Sequence, residues 1–371
     1  MGKAYRSDQV GSLLRPPELL QARTEHDQGH ITPEQLRQIE DQAILQALAL
    51  QRQVGLDVVT DGEYRRTEFR SIFDQAVEGL REDPTPTRPG QGAGAVRPRL
   101  VIGDSVRQVR RMTAHESSFL QRHAAAPFKI TLPAVSQIVS SYWQRGVSQQ
   151  AYHSVSAVYP EIVGIVRREI EALIAEGVPY IQLDAPRYTY FVDERWRQRF
   201  RDEGEDPDVV IDEWIEADNA SLAGIRPEGA TIAMHLCRGN NRGGWFGEGS
   251  YAPIAEKLFN AIAVERFLLE FDSERAGGFA PLRLIPRDKR VVLGLITTKT
   301  GTIEQEDDLL RRIDEASQYF PMANLALSPQ CGFATFAEGN PLSWDEQRRK
   351  LELVVKTARR AWGEEPERGS C

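Results

Sequence analysis

The chain is expected to fold as an α/β protein of the (β/α)8 TIM-barrel class, and three observations carry that expectation. Eight short, apolar, β-branched runs recur along the sequence. Amphipathic stretches with helix-start signals separate many of them. Chemically distinctive polar residues gather at the C-terminal ends of the runs, which in a barrel all open at one mouth. A doubly wound open sheet is the runner-up topology.

The eight runs are DQVGSLL (8–14), GLDVVTD (55–61), FKITLPA (128–134), PYIQLDA (179–185), ATIAMHL (230–236), ERFLLEF (265–271), RVVLGLI (290–296) and NLALSPQ (324–330). Several are nearly continuous in apolar residues, as parallel strands covered on both faces are. Thr32-Pro33-Glu34-Gln35 reads as a capping box with proline at the first helical position, opening a helix to about Gln53. The stretch 159–177 is amphipathic and stops at Gly177, a natural C-cap. Ser343-Trp344-Asp345-Glu346 is a second capping box and opens the last helix.

One interruption breaks the alternation. EDPTPTRPGQGAGAVRPR (82–99) is rich in Pro and Gly, and 96–111 is expected to form a hairpin turning at Gly103-Asp104. The chain is therefore taken as one barrel over 1–371 with an excursion at about 70–125. Gly90, Gly92 and Gly94 neither follow a strand nor open a helix, so they suggest a loop, not a phosphate cradle.

Composition narrows the function. With 371 residues and 41% hydrophobic content, the chain can bury a large core. A net charge of −8 argues against nucleic acid or a membrane surface as partner. No secretion signal and no membrane-length apolar run is read. Three widely spaced cysteines, an odd number, suit a reducing cytoplasm better than a disulfide scaffold.

The polar residues at the run ends carry the chemistry. Ser12 ends or follows the first run, Asp61 and Glu63 follow the second, and Asp184 closes the fourth. His235 and Cys237 close the fifth, Glu270 the sixth, and Cys331 follows the eighth. His235 and Cys237 are spaced i, i+2, so a strand presents both on one face. With Glu270 and Cys331 they make a plausible tetrahedral zinc set, gathered only by barrel closure. Two thiolates and a carboxylate would leave zinc a weak Lewis acid, better suited to holding a substrate thiolate than to hydrolysis. Glu63 and Asp184 could instead cap helices or pair with Arg65, Arg66 or Arg187; their functional use would be capture of a substrate ammonium. A retaining glycosidase also uses two carboxylates, but would leave the cysteines unexplained. The loop RGNNRGGWFGEG (238–249) is glycine-rich, and Trp245 and Phe246 would either form an apolar lid or anchor the loop.

At these residues the chain resembles the catalytic C-terminal domain of cobalamin-independent methionine synthase and its stand-alone relatives. The matching stretches are VGSLLRP, GLDVVTDGEYRR, YIQLDAP, MHLCRGN, FLLEFDSERAG, VLGLITTKTG and LALSPQCGFAT, spread through nearly the whole chain. The resemblance implies a barrel with zinc on His235, Cys237, Glu270 and Cys331, and methyl transfer to the thiol of homocysteine. It also implies that Ser12 contacts the substrate carboxylate and that Glu63 and Asp184 hold its ammonium. Two departures concern the methyl donor. No second, N-terminal barrel, which in the full synthase helps hold the folate tail, is expected from this sequence. Thr297-Thr298-Lys299 stands where folate-using members carry Asp-Ile-His, so Lys299 replaces a candidate proton donor. The donor could be a folate, a methylcorrinoid protein or another methylated compound. The alternatives are alkyl transfer to another small thiol such as coenzyme M, a cofactor-free decarboxylase on a related barrel, and a non-enzymatic zinc-binding module.

Overall fold

The computed structural model describes residues 4–83, 99–227 and 229–363. At its centre is a parallel sheet of six strands in sequential order: β3 (Lys129–Pro133), β4 (Tyr180–Asp184), β5 (Thr231–Leu236), β6 (Arg266–Glu270), β7 (Arg290–Ile296) and β8 (Leu325–Pro329). All are buried along nearly their whole length, which the near-continuous apolar runs anticipated.

The remaining two staves close the circle by single bridges. Ser7 pairs in parallel with Leu327 of β8, and Asp57 N–H donates to the Ser7 carbonyl. Val59 pairs in parallel with Phe128, at the edge of β3. The circuit therefore runs from β8 through residue 7 and residues 57–59 to β3, a closed barrel. The first stave is not a regular strand because side chains take its carbonyls. Thr60 Oγ1 donates to Gly11 O, Gln182 Nε2 to Val10 O, and Lys129 Nζ to Gln9 O. These bonds satisfy the backbone groups that a ladder would otherwise pair.

Apolar packing divides into two shells. The larger lies between the strands and the surrounding helices. The smaller fills the barrel interior with Tyr5, Val10, Val58, Tyr180, Ala233, Leu268, Val292 and Ala326. The helix Pro33–Val54 carries the expected capping box on Thr32 and ends at Gly55, in the left-handed region. The helix Tyr159–Ala175 stops just before Gly177, and Trp344–Trp362 opens on the Ser343 capping box. No helix among the described residues is long and apolar enough to cross a membrane.

The excursion carries a hairpin, but not where the sequence suggested. β1 (Val77–Glu82) pairs antiparallel with β2 (Leu100–Gln108), so Gly103 and Asp104 lie inside a strand and make no turn. Gly103 marks a close cross-strand approach: a Cβ there would stand 2.2 Å from Arg81 Cδ. The linking residues 84–98, with Gly90, Gly92 and Gly94, lie outside the described residues, as does Cys371.

Candidate metal centre at the barrel mouth

β5 presents alternate residues to the interior, so Ala233, His235 and, just beyond the strand, Cys237 rise toward the mouth on one face. Cys331 follows β8 on the far side of the barrel. Closure brings the three together: one ligand atom from each of His235, Cys237 and Cys331 lies within 4.8 Å of the others, and all three residues are buried. Among the described residues this is the one such group of three or more.

The two sulfurs are 3.8 Å apart, and both cysteines are free. That is far too long for a disulfide, whose S–S bond is about 2.05 Å. It matches two thiolates on one tetrahedral ion, which at Zn–S of about 2.3 Å stand roughly 3.8 Å apart. Neither ring nitrogen of His235 meets the geometry of a hydrogen bond to a protein partner. An imidazole buried with both nitrogens unanswered is costly unless something else takes the lone pair. The donor set therefore fits a thiophilic cation such as zinc. Electrostatics agree. The Cys237 S–H and the neighbouring His235 hold the Cys331 thiol well below its ordinary range, while proximity to Cys331 and burial push the Cys237 thiol up. Burial disfavours a charged His235, but Cys331 outweighs it and holds the ring above its usual value.

Glu270 stands outside this group of three. Its Oε2 accepts from the Arg238 N–H at 2.6 Å and its Oε1 from Arg275 Nη2 at 2.7 Å. Burial opposes its charge, yet Lys299, Arg238 and Arg275 together hold it below the ordinary carboxylate range. Arg238 and Arg275 were not anticipated from the sequence. Arg238 is fully buried, stacks 4.2 Å over Tyr251 and also donates to the carbonyls of Glu270 and Gly249. Its position directly after Cys237 was the available signal. Lys299 Nζ donates to Gly239 O at 2.5 Å, so this residue of the seventh stave clasps the backbone just past Cys237.

The acidic groups reach the same mouth from β4 and from the turn after residues 57–59. Asp184 pairs in register with His235 across β4 and β5, and burial raises its carboxyl to about 7. Glu63 occupies the left-handed region at φ 58, unusual for a non-glycine residue. Its Oε1 accepts from Thr131 at 2.8 Å and faces Arg66 at 3.6 Å, whereas its buried Oε2 has no partner. Asp61 turns Oδ1 to the Glu63 N–H, leaves Oδ2 unpartnered, and is raised to about 6 by burial. Arg66, in turn, forks onto Glu116. Ser12 meets the Cys331 loop: its Oγ accepts from Ala334 N–H, and its carbonyl from Phe333 N–H.

The glycine-rich loop is docked through Phe246. That ring stands edge-on to Tyr190 and Trp196, and Trp196 Nε1 donates to Phe246 O. Trp245 is 54% exposed and lies 4.7 Å over Arg275.

Comparison with known proteins bears on the family and the fold. The family profile described as "Cobalamin-independent synthase, Catalytic domain" matches residues 7–360. The uncharacterized protein YxjG of Bacillus subtilis (strain 168) is 36% identical, covering 96% of this chain and 95% of the relative. A 5-methyltetrahydropteroyltriglutamate–homocysteine methyltransferase of Synechococcus is 22% identical; the match takes in 94% of this chain but only 42% of that protein. Among solved structures, a candidate vitamin-B12 independent methionine synthase of Listeria monocytogenes superposes with a TM-score of 0.76 at 28% identity, over 98% of this chain and 100% of that one. A B12-independent methionine synthase of Shewanella superposes with a TM-score of 0.74 at 21% identity, covering 96% of this chain and 97% of that one. The chain belongs to the cobalamin-independent methionine synthase family.

Proposed function

We propose that the chain is a zinc-dependent methyltransferase that moves a methyl group to the thiol of homocysteine. The observation that carries this is the buried His235–Cys237–Cys331 group, with its sulfurs 3.8 Å apart and its imidazole without a hydrogen-bond partner. Glu270, which accepts from the N–H of Arg238 directly after Cys237, is the fourth ligand in this proposal. Bound there, zinc would favour the thiolate form of a substrate thiol at neutral pH.

The chain's own residues do the rest. Asp184 and Glu63 offer acceptors to the substrate ammonium, and the unpartnered Glu63 Oε2 is one such acceptor. Ser12, held against the Cys331 loop, would contact the substrate carboxylate. These contacts fix the thiol sulfur so that it meets the incoming methyl carbon in line. The sulfur's electron pair forms the new S–C bond, and the bond from methyl to donor breaks toward the donor. Lys299 would supply a proton to that departing donor. The donor is a folate, a methylcorrinoid protein or another methylated compound. The paired carboxylates favour an amino-acid thiol over coenzyme M, which has no ammonium for them to hold.

The test is methyl transfer to homocysteine from a donor panel that includes methyltetrahydrofolate monoglutamate. Methionine should form with at least one donor, and chelator-stripped protein should form none until zinc is restored. Equal turnover by stripped protein would overturn the proposal.

A further inference from the structure

A polar column runs down the barrel axis beneath Asp184. Gln182 lies two residues before Asp184 on β4, so both side chains point inward, and Gln182 is fully buried. Its Oε1 accepts from Lys129 Nζ at 2.9 Å. Its Nε2 donates to Val10 O at 2.8 Å and to Asp184 Oδ1 at 2.8 Å. An ammonium can only donate, and a carbonyl and a carboxylate can only accept. The amide therefore has one self-consistent orientation, set from below by Lys129. Lys129 is itself fixed: its Nζ donates to Gln9 O and lies 2.6 Å from Asp8 Oδ1. Every donor and acceptor of the Gln182 amide that these partners can reach is committed.

The consequence appears at the mouth. Asp184 Oδ1 is bound to Gln182, while its Oδ2 has no hydrogen-bond partner among the described residues. We infer that Gln182 is a positioning residue, locked by Lys129, which fixes Asp184 so that one oxygen is left facing the mouth for the substrate ammonium. The preference for an amino-bearing thiol is then set partly from inside the barrel, by two residues that never touch substrate. This inference rests on the proposed amino-acid thiol.

Calorimetry on the zinc-loaded full chain tests it, with homocysteine and 3-mercaptopropionate, which lacks the amino group, as ligands. The proteins are wild type, Asp184→Asn, Gln182→Met and Gln182→Glu. Gln182→Glu keeps the shape and an acceptor for Lys129 but has no N–H for Asp184 when ionised. Wild type should prefer homocysteine, and Asp184→Asn should weaken it by about ten- to a hundredfold, as loss of a charge-assisted contact does. Both Gln182 variants should weaken homocysteine about tenfold and leave 3-mercaptopropionate within about twofold, at unchanged zinc content. If both Gln182 variants keep the wild-type preference while Asp184→Asn loses it, Gln182 only packs and the inference is overturned. Equal weakening of both thiols overturns it too, because the residue would then support the site in general. If wild type shows no preference, or Asp184→Asn changes nothing, it is the amino-acid thiol that fails, and the inference falls with it.

Discussion

Asp8 and the groups around His235 occupy opposite ends of one barrel, and both are buried, yet their polar atoms are treated differently. At the closed end, Asp8 Oδ1 takes the Gln9 N–H and Lys129, and Oδ2 takes the Tyr180 hydroxyl at 2.9 Å and faces Arg266 at 3.5 Å. Lys129 also stands 4.4 Å over the Tyr180 ring. At the mouth, both His235 nitrogens, Glu63 Oε2 and Asp61 Oδ2 have no hydrogen-bond partner. The closed-end carboxylate is thus answered at both oxygens, whereas the carboxylates and the imidazole at the mouth keep acceptors open, as a ligand site requires.

The largest effect expected is on metal. Cys237→Ser and Cys331→Ser should each take the protein from about one zinc per chain to well below that, since the other ligands cannot complete a tetrahedral site alone. The circular dichroism spectrum should stay that of the barrel, because the staves are held by backbone pairing and not by these thiols. Elemental analysis decides: full zinc in both variants would remove the mouth's claim to be different from the closed end.

The converse experiment breaks the closed end. Asp8→Ala leaves Lys129 and Arg266 buried without their shared carboxylate. Breaking such a buried pair costs roughly 3–5 kcal/mol. Urea unfolding should show a loss of that size, while zinc content of the folded protein stays at about one per chain. A loss below about 1 kcal/mol, the range of an exposed ion pair, would mean the Asp8 cluster is not a structural counterpart to the mouth.

Much of this contrast was legible in the sequence, for reasons that particular residues make plain. Strands β3 to β8 fall inside the runs read as strands because a stave buried on both faces leaves an uninterrupted apolar signature. The first two staves were read as strands of the same kind and are only single bridges. The first stave's carbonyls are taken by Thr60, Gln182 and Lys129, and the backbone of Thr60 in the second by Gln51, partners that sequence neighbours do not disclose. Gly103 reads as a turn in the sequence, although a glycine in a strand equally marks close approach. His235 and Cys237 were legible because period two puts them on one face, and Cys331 because the chain has so few cysteines. The partners of Glu270 were not, since a buried carboxylate can choose among many arginines and only the folded chain selects Arg238 and Arg275. Gln182 did carry a signal: it is two residues from Asp184, on the same inward face.

The smallest expected effect sharpens the comparison at one contact across the mouth. Gly332 follows Cys331 and lies against Ser12, so that a Cβ at 332 would stand 2.1 Å from Ser12 Oγ, with Ser12 Cβ and N next at 3.2 Å. Gly332→Ala must therefore displace the hydroxyl, and overpacking of this kind costs about 1–3 kcal/mol. Ser12→Ala alone loses the 3.3 Å bond from Ala334 N–H, worth about 0.5–1.5 kcal/mol. The double variant removes the colliding oxygen and leaves only the 3.2 Å contacts, which small shifts can absorb. Its cost should fall short of the sum of the singles, with a coupling of roughly 0.5–3 kcal/mol in chemical unfolding. Relief of strain should not restore binding: homocysteine affinity should stay reduced in the double variant, because the hydroxyl proposed to meet the substrate carboxylate is gone. Additive unfolding costs would mean that Gly332 is not there to make room for Ser12. Wild-type homocysteine affinity in the double variant would remove Ser12 from the substrate site.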